Sequence, residues 1–214
     1  MSVAVWFRQD LRLSDNPALL EASKTGKCVL PVYVHHEVEW PLGGAARVWL
    51  MHSLQVLSDD LREQYGSKLI VRSESPAEVF ECLGVTDVYV NDVYEPWDTG
   101  IIDIPPGISV HRFCAVLLFP PNRVNPDETA HGFGSVRFFM NACHGDPDEP
   151  VDRPSRLRSP TTWPPSSAPE LYKKPRRRLP DGTVQEVDWA AGIRQAWTFG
   201  ESGAVLALEH FMRD

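Results

Sequence analysis

The sequence predicts a doubly wound α/β domain on a five-stranded parallel sheet, followed by an extended connector and a short helical tail. Three observations carry that prediction. Five short runs (Ser2–Phe7, Cys28–Val34, Lys68–Val71, Val85–Val90 and Ile108–Phe113) have strand length and are rich in β-branched or aromatic residues. Each is nearly continuous in apolar character, which predicts strands covered on both faces. Stretches of helical periodicity lie between them, and such alternation builds a right-handed parallel sheet with helices on both sides.

Taken in order, the first run ends at Phe7 and gives way to Arg8-Gln9-Asp10. Ser14-Asp15-Asn16-Pro17 then supplies caps and a first-turn proline, predicting a helix through Ala18, Leu19, Leu20, Glu21 and Ala22. After the second run, Val48, Met51, Leu54, Leu57 and Leu61 recur at three- and four-residue spacing between Ala45 and Gln64, marking one face of a long helix. Ser75-Pro76 opens a third helix through Val79, Phe80 and Leu83. Between the fourth and fifth runs no long helix is expected, because Gly100, Pro105, Pro106 and Gly107 crowd the segment 99–107. There is no internal repeat.

Charge divides the chain further. The net charge is −8 over 214 residues, but residues 1–150 carry 11 Lys/Arg against 21 Asp/Glu, whereas residues 151–214 carry 10 against 8. Segment 145–180 holds nine of the 19 prolines, and 153–178 has eight basic residues against Glu170 alone. Such composition favours extended backbone and reads as a connector. The expected organisation is an α/β body over 1–145, a basic Pro-rich connector over 146–186 and a helical tail over 187–214.

Several function classes fall away. No apolar stretch approaches the roughly 18 residues of a membrane span, and the N-terminus lacks the pattern of a signal peptide. Cys28, Cys82, Cys114 and Cys143 lie far apart, which predicts reduced thiols and an intracellular protein. No GxGxxG follows a strand and no GxxxxGK[ST] occurs; Gly132-Phe133-Gly134 follows a loop. His35-His36-Glu37 with Glu39 offers metal-ligating side chains, but neighbours at a strand end point in opposite directions, so no metal is predicted. No serine or cysteine shows a nucleophile elbow. Lys173–Arg178 reads as a solvated basic stretch or a nucleic-acid arm; the acidic body opposes a polyanion, so autonomous nucleic-acid binding is not expected.

Ligands of such sheets sit at the carboxyl ends of the strands, near the switch in strand order. The residues expected there are Phe7, Arg8 and Asp10 after the first strand, His35 and His36 after the second, and Asn91, Glu95, Trp97 and Asp98 after the fourth. Arginine, carboxylates, an amide, imidazoles and an aromatic ring suit a planar hydrogen-bonding heterocycle. Of the seven tryptophans, only Trp97 is expected at this crevice; Trp49 is expected to pack against the core or a helix flank.

The stretch Val5-Trp6-Phe7-Arg8-Gln9-Asp10-Leu11-Arg12-Leu13-Ser14-Asp15-Asn16-Pro17-Ala18-Leu19 resembles the opening signature of the DNA photolyase and cryptochrome family. Val29–Val34, Gly44-Ala45-Ala46-Arg47, Gly66–Leu69, Pro120-Pro121, Gly132-Phe133 and Phe138-Phe139 resemble its later segments. Trp197-Thr198-Phe199-Gly200-Glu201, with Ala204, Leu208 and Phe211, resembles the start of its helical domain. The resemblance implies a Rossmann-like antenna domain that holds a folate, deazaflavin or flavin chromophore. It implies that excitation passes to FAD in a helical domain, for DNA repair or blue-light signalling. The FAD and lesion sites of the family belong to that helical domain, of which residues 187–214 are expected to supply only the start, so these 214 residues alone are not expected to repair DNA. Its expected partners are that domain, or a second copy, through residues 188–214. The alternative is a non-catalytic interaction module that docks a partner through connector and tail. The family's helix between the fourth and fifth strands is absent from the pattern, and so is the Thr-Pro that usually precedes its last phenylalanine, where Val136-Arg137-Phe138-Phe139 stands.

Overall fold

The computed structural model describes residues 2–35, 42–94, 104–125, 132–143, 145–167, 171 and 173–213. The sheet is formed by β1 (Ser2–Phe7), β2 (Cys28–Val34), β3 (Ile70–Arg72), β4 (Asp87–Asn91) and β5 (Ser109–Phe113), all parallel, in the order β3-β2-β1-β4-β5. The switch in strand order therefore lies between β1 and β4. The helices of the body are α1 (Pro17–Lys24), α2 (Gly44–Tyr65) and α3 (Pro76–Leu83), followed by the short α4 (Pro121–Val124) and α5 (Val136–Ala142).

Local chemistry explains the helix ends. The Asn16 side chain accepts the amide of Leu19 at 3.1 Å and Pro17 starts α1, as its sequence predicts. Ser75 and Glu78 form a reciprocal capping box on α3. Gly66, at φ +61°, closes α2 in a left-handed conformation that costs a glycine little.

Alternation along the pleat divides the core into two layers. Val3, Val5 and Phe7 join Leu19, Leu54, Leu57 and Leu61 beneath α1 and α2, while Ala4 and Trp6 join Val32, Val88, Val79 and Phe80 beneath α3. Helices thus cover both faces, and Trp6 packs edge-on against Phe80 at 5.3 Å. β5 departs from the expectation of strands buried on both faces. It is the sheet edge, with Val110 exposed and Arg112 pairing outward with Asp92 at 2.6 Å. Its polar pair, His111-Arg112, suits an edge, where one side has no neighbour to bury it.

At the opposite end of β4, Asp87 receives Lys27 at 2.7 Å, Thr86 at 2.6 Å and His111 at 3.0 Å. Hydrogen bonds from Lys27, Thr86 and His111 hold its carboxyl well below the usual range. A depressed carboxylate contributes stability that is present above its unfolded value of 3.8 and is lost as pH falls through the folded value. Asp87→Asn is therefore expected to cost about 1–2 kcal/mol near pH 7 and to flatten the acid limb of the stability profile, read by denaturant melts from pH 7 to 3. An unchanged profile would assign the acid limb to other carboxylates.

The connector is extended but not detached. Pro154, Leu157 and Leu171 are buried, the latter two in the core layer beneath α1 and α2. Arg158 accepts the Val29 amide at 2.8 Å, and Ser166 and Ser167 bond Val71. The segment straps the β2 and β3 side of the body. Its basic run forms the antiparallel ribbon β6 (Arg176–Arg178) and β7 (Val184–Glu186), exposed throughout. The tail folds as α6 (Ala191–Ala196) and α7 (Gly200–Arg213). No helix among the described residues is long and apolar enough to cross a membrane.

Candidate functional site

At the switch point the described residues form a buried polar knot. The Asn91 amide donates to Asp10 Oδ2 at 2.6 Å and Asn16 Oδ1 at 2.8 Å, while its carbonyl accepts the Ala18 amide at 3.2 Å. Asp10 also accepts the Arg8 amide at 2.8 Å. Arg8 Nη2 donates to the Asn91 carbonyl at 2.9 Å and its guanidinium lies 5.3 Å from the Trp6 ring. Together these bonds tie the end of β1, the start of α1 and the end of β4.

Beside the knot, over the carboxyl ends of β1 and β2, lies a cleft of about 1010 Å³. One wall is the loop from β1 to α1, with Arg8, Gln9, Asp10, Leu11, Arg12, Ser14 and Asp15. A second wall comes from the first turns of α2, with Ala46, Trp49, Leu50 and Ser53, and Tyr33 of β2 lies at the base. The third wall is the tail, from Trp197 to Leu208. The cleft thus has a polar side on the loop and an apolar, aromatic side on the two helices. Arg12 is largely committed to carbonyls, donating to Ser14, Asp15 and Ala115.

The tail meets α2 through rings. Trp49 is edge-on to Trp197 at 5.8 Å and to Phe199 at 4.9 Å, and His52 stacks on Phe199 at 4.4 Å. Burial and then the charge of Arg194 lower the His52 pKa, so a neutral ring is favoured there. Glu201, at the start of α7, accepts the amides of Leu13 at 2.8 Å and Ser14 at 3.2 Å, and pairs with Arg153 at 2.9 Å. Burial pushes its carboxyl up, but the bonds from Ser14, Leu13 and Arg153 outweigh it and leave it below its ordinary value.

The structure brings together only part of the expected set. Arg8, Asp10 and Asn91 meet, and Arg8 and Asp10 also line the cleft. Phe7 is fully buried in the core. His35 follows β2, its amide bonded to the Arg72 carbonyl at 2.7 Å. His36, Glu95, Trp97 and Asp98 lie outside the described residues, as do Glu37 and Glu39. Trp49 and Trp197 both line the cleft, contrary to the expectation that Trp97 would be the one tryptophan there. A signal for Trp49 existed: the helix after a strand starts at that strand's carboxyl end, so the first turns of α2 border the crevice. Trp49 is also the helix-flank residue expected, since it packs on Phe199.

Comparison with known proteins gives this geometry its context. The sequence model described as DNA photolyase matches residues 3–155. The deoxyribodipyrimidine photo-lyase of Agrobacterium fabrum is 37% identical over 98% of this chain and 44% of its own length. Cryptochrome-1 of Arabidopsis thaliana is 32% identical over 72% of this chain and 25% of its own. Among solved structures, a bacterial class III photolyase from Agrobacterium tumefaciens superposes with a TM-score of 0.81 at 33% identity, covering 99% of this chain and 44% of that one. The chain spans less than half the length of these relatives. The signature of its first strand and loop, its sheet order and the match over most of its length agree, and the chain belongs to the DNA photolyase family.

Proposed function

We propose that this chain is the light-harvesting part of a photolyase- or cryptochrome-type protein, and that the cleft over β1 and β2 holds a planar light-absorbing heterocycle. Photolyase-family proteins bind flavin and antenna chromophores, and the candidates here are a folate, a deazaflavin or a flavin. The observation that carries this reading is the cleft of about 1010 Å³ with aromatic rings from two helices on one side and arginines, amides and carboxylates on the other. Its size is that of a cofactor site, and a largely apolar wall with a few polar groups is the usual lining of one. Its place, at the carboxyl ends of the strands, is where this sheet type binds ligands. Excitation would pass to FAD in the family's helical domain, and the dimer-splitting or signalling chemistry belongs to that FAD.

The test is to incubate the purified chain with a reduced folate, a deazaflavin, FMN and FAD separately, desalt, and record absorption and fluorescence. Near-stoichiometric retention of one of them is expected, weakened about tenfold or more by Trp49→Ala, which removes a stacking wall. A folded chain that retains none of the four refutes the reading.

A second reading is favoured by one observation. Leu206, Leu208, Phe211 and Met212 on α7 are between 58 and 78% exposed, a face that elsewhere would be buried. The occupant proposed for it is the family's helical domain. Left uncovered in these 214 residues, the face is expected to drive self-association, giving a concentration-dependent dimer in sedimentation that the double variant Leu206→Glu/Phe211→Glu abolishes. A wild-type chain that stays monomeric at high concentration argues against a docking face.

A further inference from the structure

We infer that Glu201 and Arg153 are positioning residues of the cleft: they clasp α7 across the β1–α1 loop, so that seating of α7 and occupancy of the cleft are one equilibrium. This rests on the reading of the cleft as a chromophore site and adds how that site is closed.

The inference starts from how little else holds the helix. Beyond its first turn, α7 shows solvent its large side chains, with Phe211 78% exposed. Its attachment is concentrated at residues 197–203. There the rings of Trp197 and Phe199 meet α2, Gly200 and Gly203 allow close approach, and Glu201 reaches over to the loop. An element held at one end, with its remaining face unburied, opens at a lower free energy than the core layers do. Nine of the residues on the cleft belong to this stretch and the helix after it, so undocking removes a wall.

Arg153 makes the clasp a three-way joint. Coming from the connector, its guanidinium donates to Ser14 Oγ on the loop, to Gln64 Oε1 of α2 at 3.4 Å and to Glu201 Oε1 of α7 at 2.9 Å. Glu201 in turn takes the amides of Leu13 and Ser14, two donors of the loop that forms the polar wall. The Glu201 side chain is only 11% exposed, so its charge is shielded from water and its bonds are of the stronger, charge-assisted kind. The same two residues therefore fix the polar wall and the aromatic wall relative to each other. A ligand touching both walls binds the docked state better, and by linkage the docked state binds the ligand better by the same factor.

The experiment measures both sides of that linkage in the full chain. Hydrogen exchange of α7 amides is followed without ligand and with FMN or a reduced folate, alongside the dissociation constant of each probe by fluorescence titration. In the wild type, a bound probe is expected to slow exchange across α7. Glu201→Ala is expected to speed exchange of α7 about tenfold or more without ligand and to weaken the probe by a similar factor, a size set by loss of a charged hydrogen-bonding group. Glu201→Gln, which keeps one acceptor for the loop amides, is expected to recover part of both. Arg153→Ala added to Glu201→Ala is expected to cost far less than its separate effect, because the two act as a unit. Exchange of the β1 and β4 amides reports that the body stays folded. Loosened α7 with an unchanged dissociation constant overturns the coupling and leaves the chromophore site standing. Unchanged α7 exchange in Glu201→Ala overturns the clasp. A wild type that binds none of the probes overturns both the site and the coupling.

Discussion

Replacing Asn91 with alanine is expected to be the most destabilising single change at the carboxyl rim, costing about 3 kcal/mol and on the order of 10 °C in Tm for a chain of this size. Asn91 is 1% exposed and its side chain makes three hydrogen bonds inside the protein, both amide hydrogens among them. Removing it leaves Asp10, itself 4% exposed, without its shortest donor, leaves the Ala18 amide unpaired in the interior, and takes from the Asn16 side-chain carbonyl one of its two donors, the other being the Leu19 amide. A buried carboxylate that loses a donor keeps its desolvation cost and loses the offset. The measurement is a pair of experiments, a denaturant melt and a chromophore titration, on Asn91→Ala. A large drop in stability with chromophore affinity preserved under folding conditions assigns Asn91 to the framework. A near-native melt with abolished chromophore binding would assign it to the ligand and overturn the reading of the knot as structural.

That knot shows what the sequence made legible and what it did not. The run of β-branched residues in β1, its mate in β2 and the proline-led starts of α1 and α3 are local signals, and the structure places those elements within a residue or two of the expectation. The clustering of Arg8, Asp10 and Asn91 at one rim was also legible, because parallel strands put their ends together. What sequence could not convey is the direction in which those polar groups are turned. An asparagine after a strand looks the same whether it faces a ligand or, like Asn91, is saturated by an aspartate 81 residues away. The cleft wall from Trp197 to Leu208 was hidden for a related reason. It depends on a tail that returns across a proline-rich connector, and nothing local in Arg153 reveals that it bonds Ser14, Gln64 and Glu201. The buried Leu157 and Leu171 escaped likewise, since isolated leucines in a polar, proline-dense stretch carry no periodicity.

Gly203→Ala is expected to release α7 and with it the cleft. A Cβ built at Gly203 would lie 2.1 Å from the Thr198 carbonyl oxygen and 2.6 Å from its carbon, far inside any tolerated contact. The clash is with backbone, so no side chain can swing aside; the first turn of the helix must move as a piece. Gly200 is equally constrained, at φ +84° with a Cβ position 2.3 Å from Val56 Cγ1. Because α7 contributes little to either core layer, the loss is local. The main melting transition is expected to stay within about 2 °C of wild type, while exchange protection of α7 and retention of a chromophore both collapse. Gly192, on α6, supplies the comparison. Nothing lies within 4 Å of its Cβ position, and alanine there is expected to be neutral or to add up to about 1 kcal/mol through helix propensity. The contrast isolates close approach from propensity, since both substitutions add the same methyl group to a helix of the tail. A Gly203→Ala chain that keeps α7 protected would mean that the tail does not seat through this contact, and the cleft would then have to be closed by something other than α7.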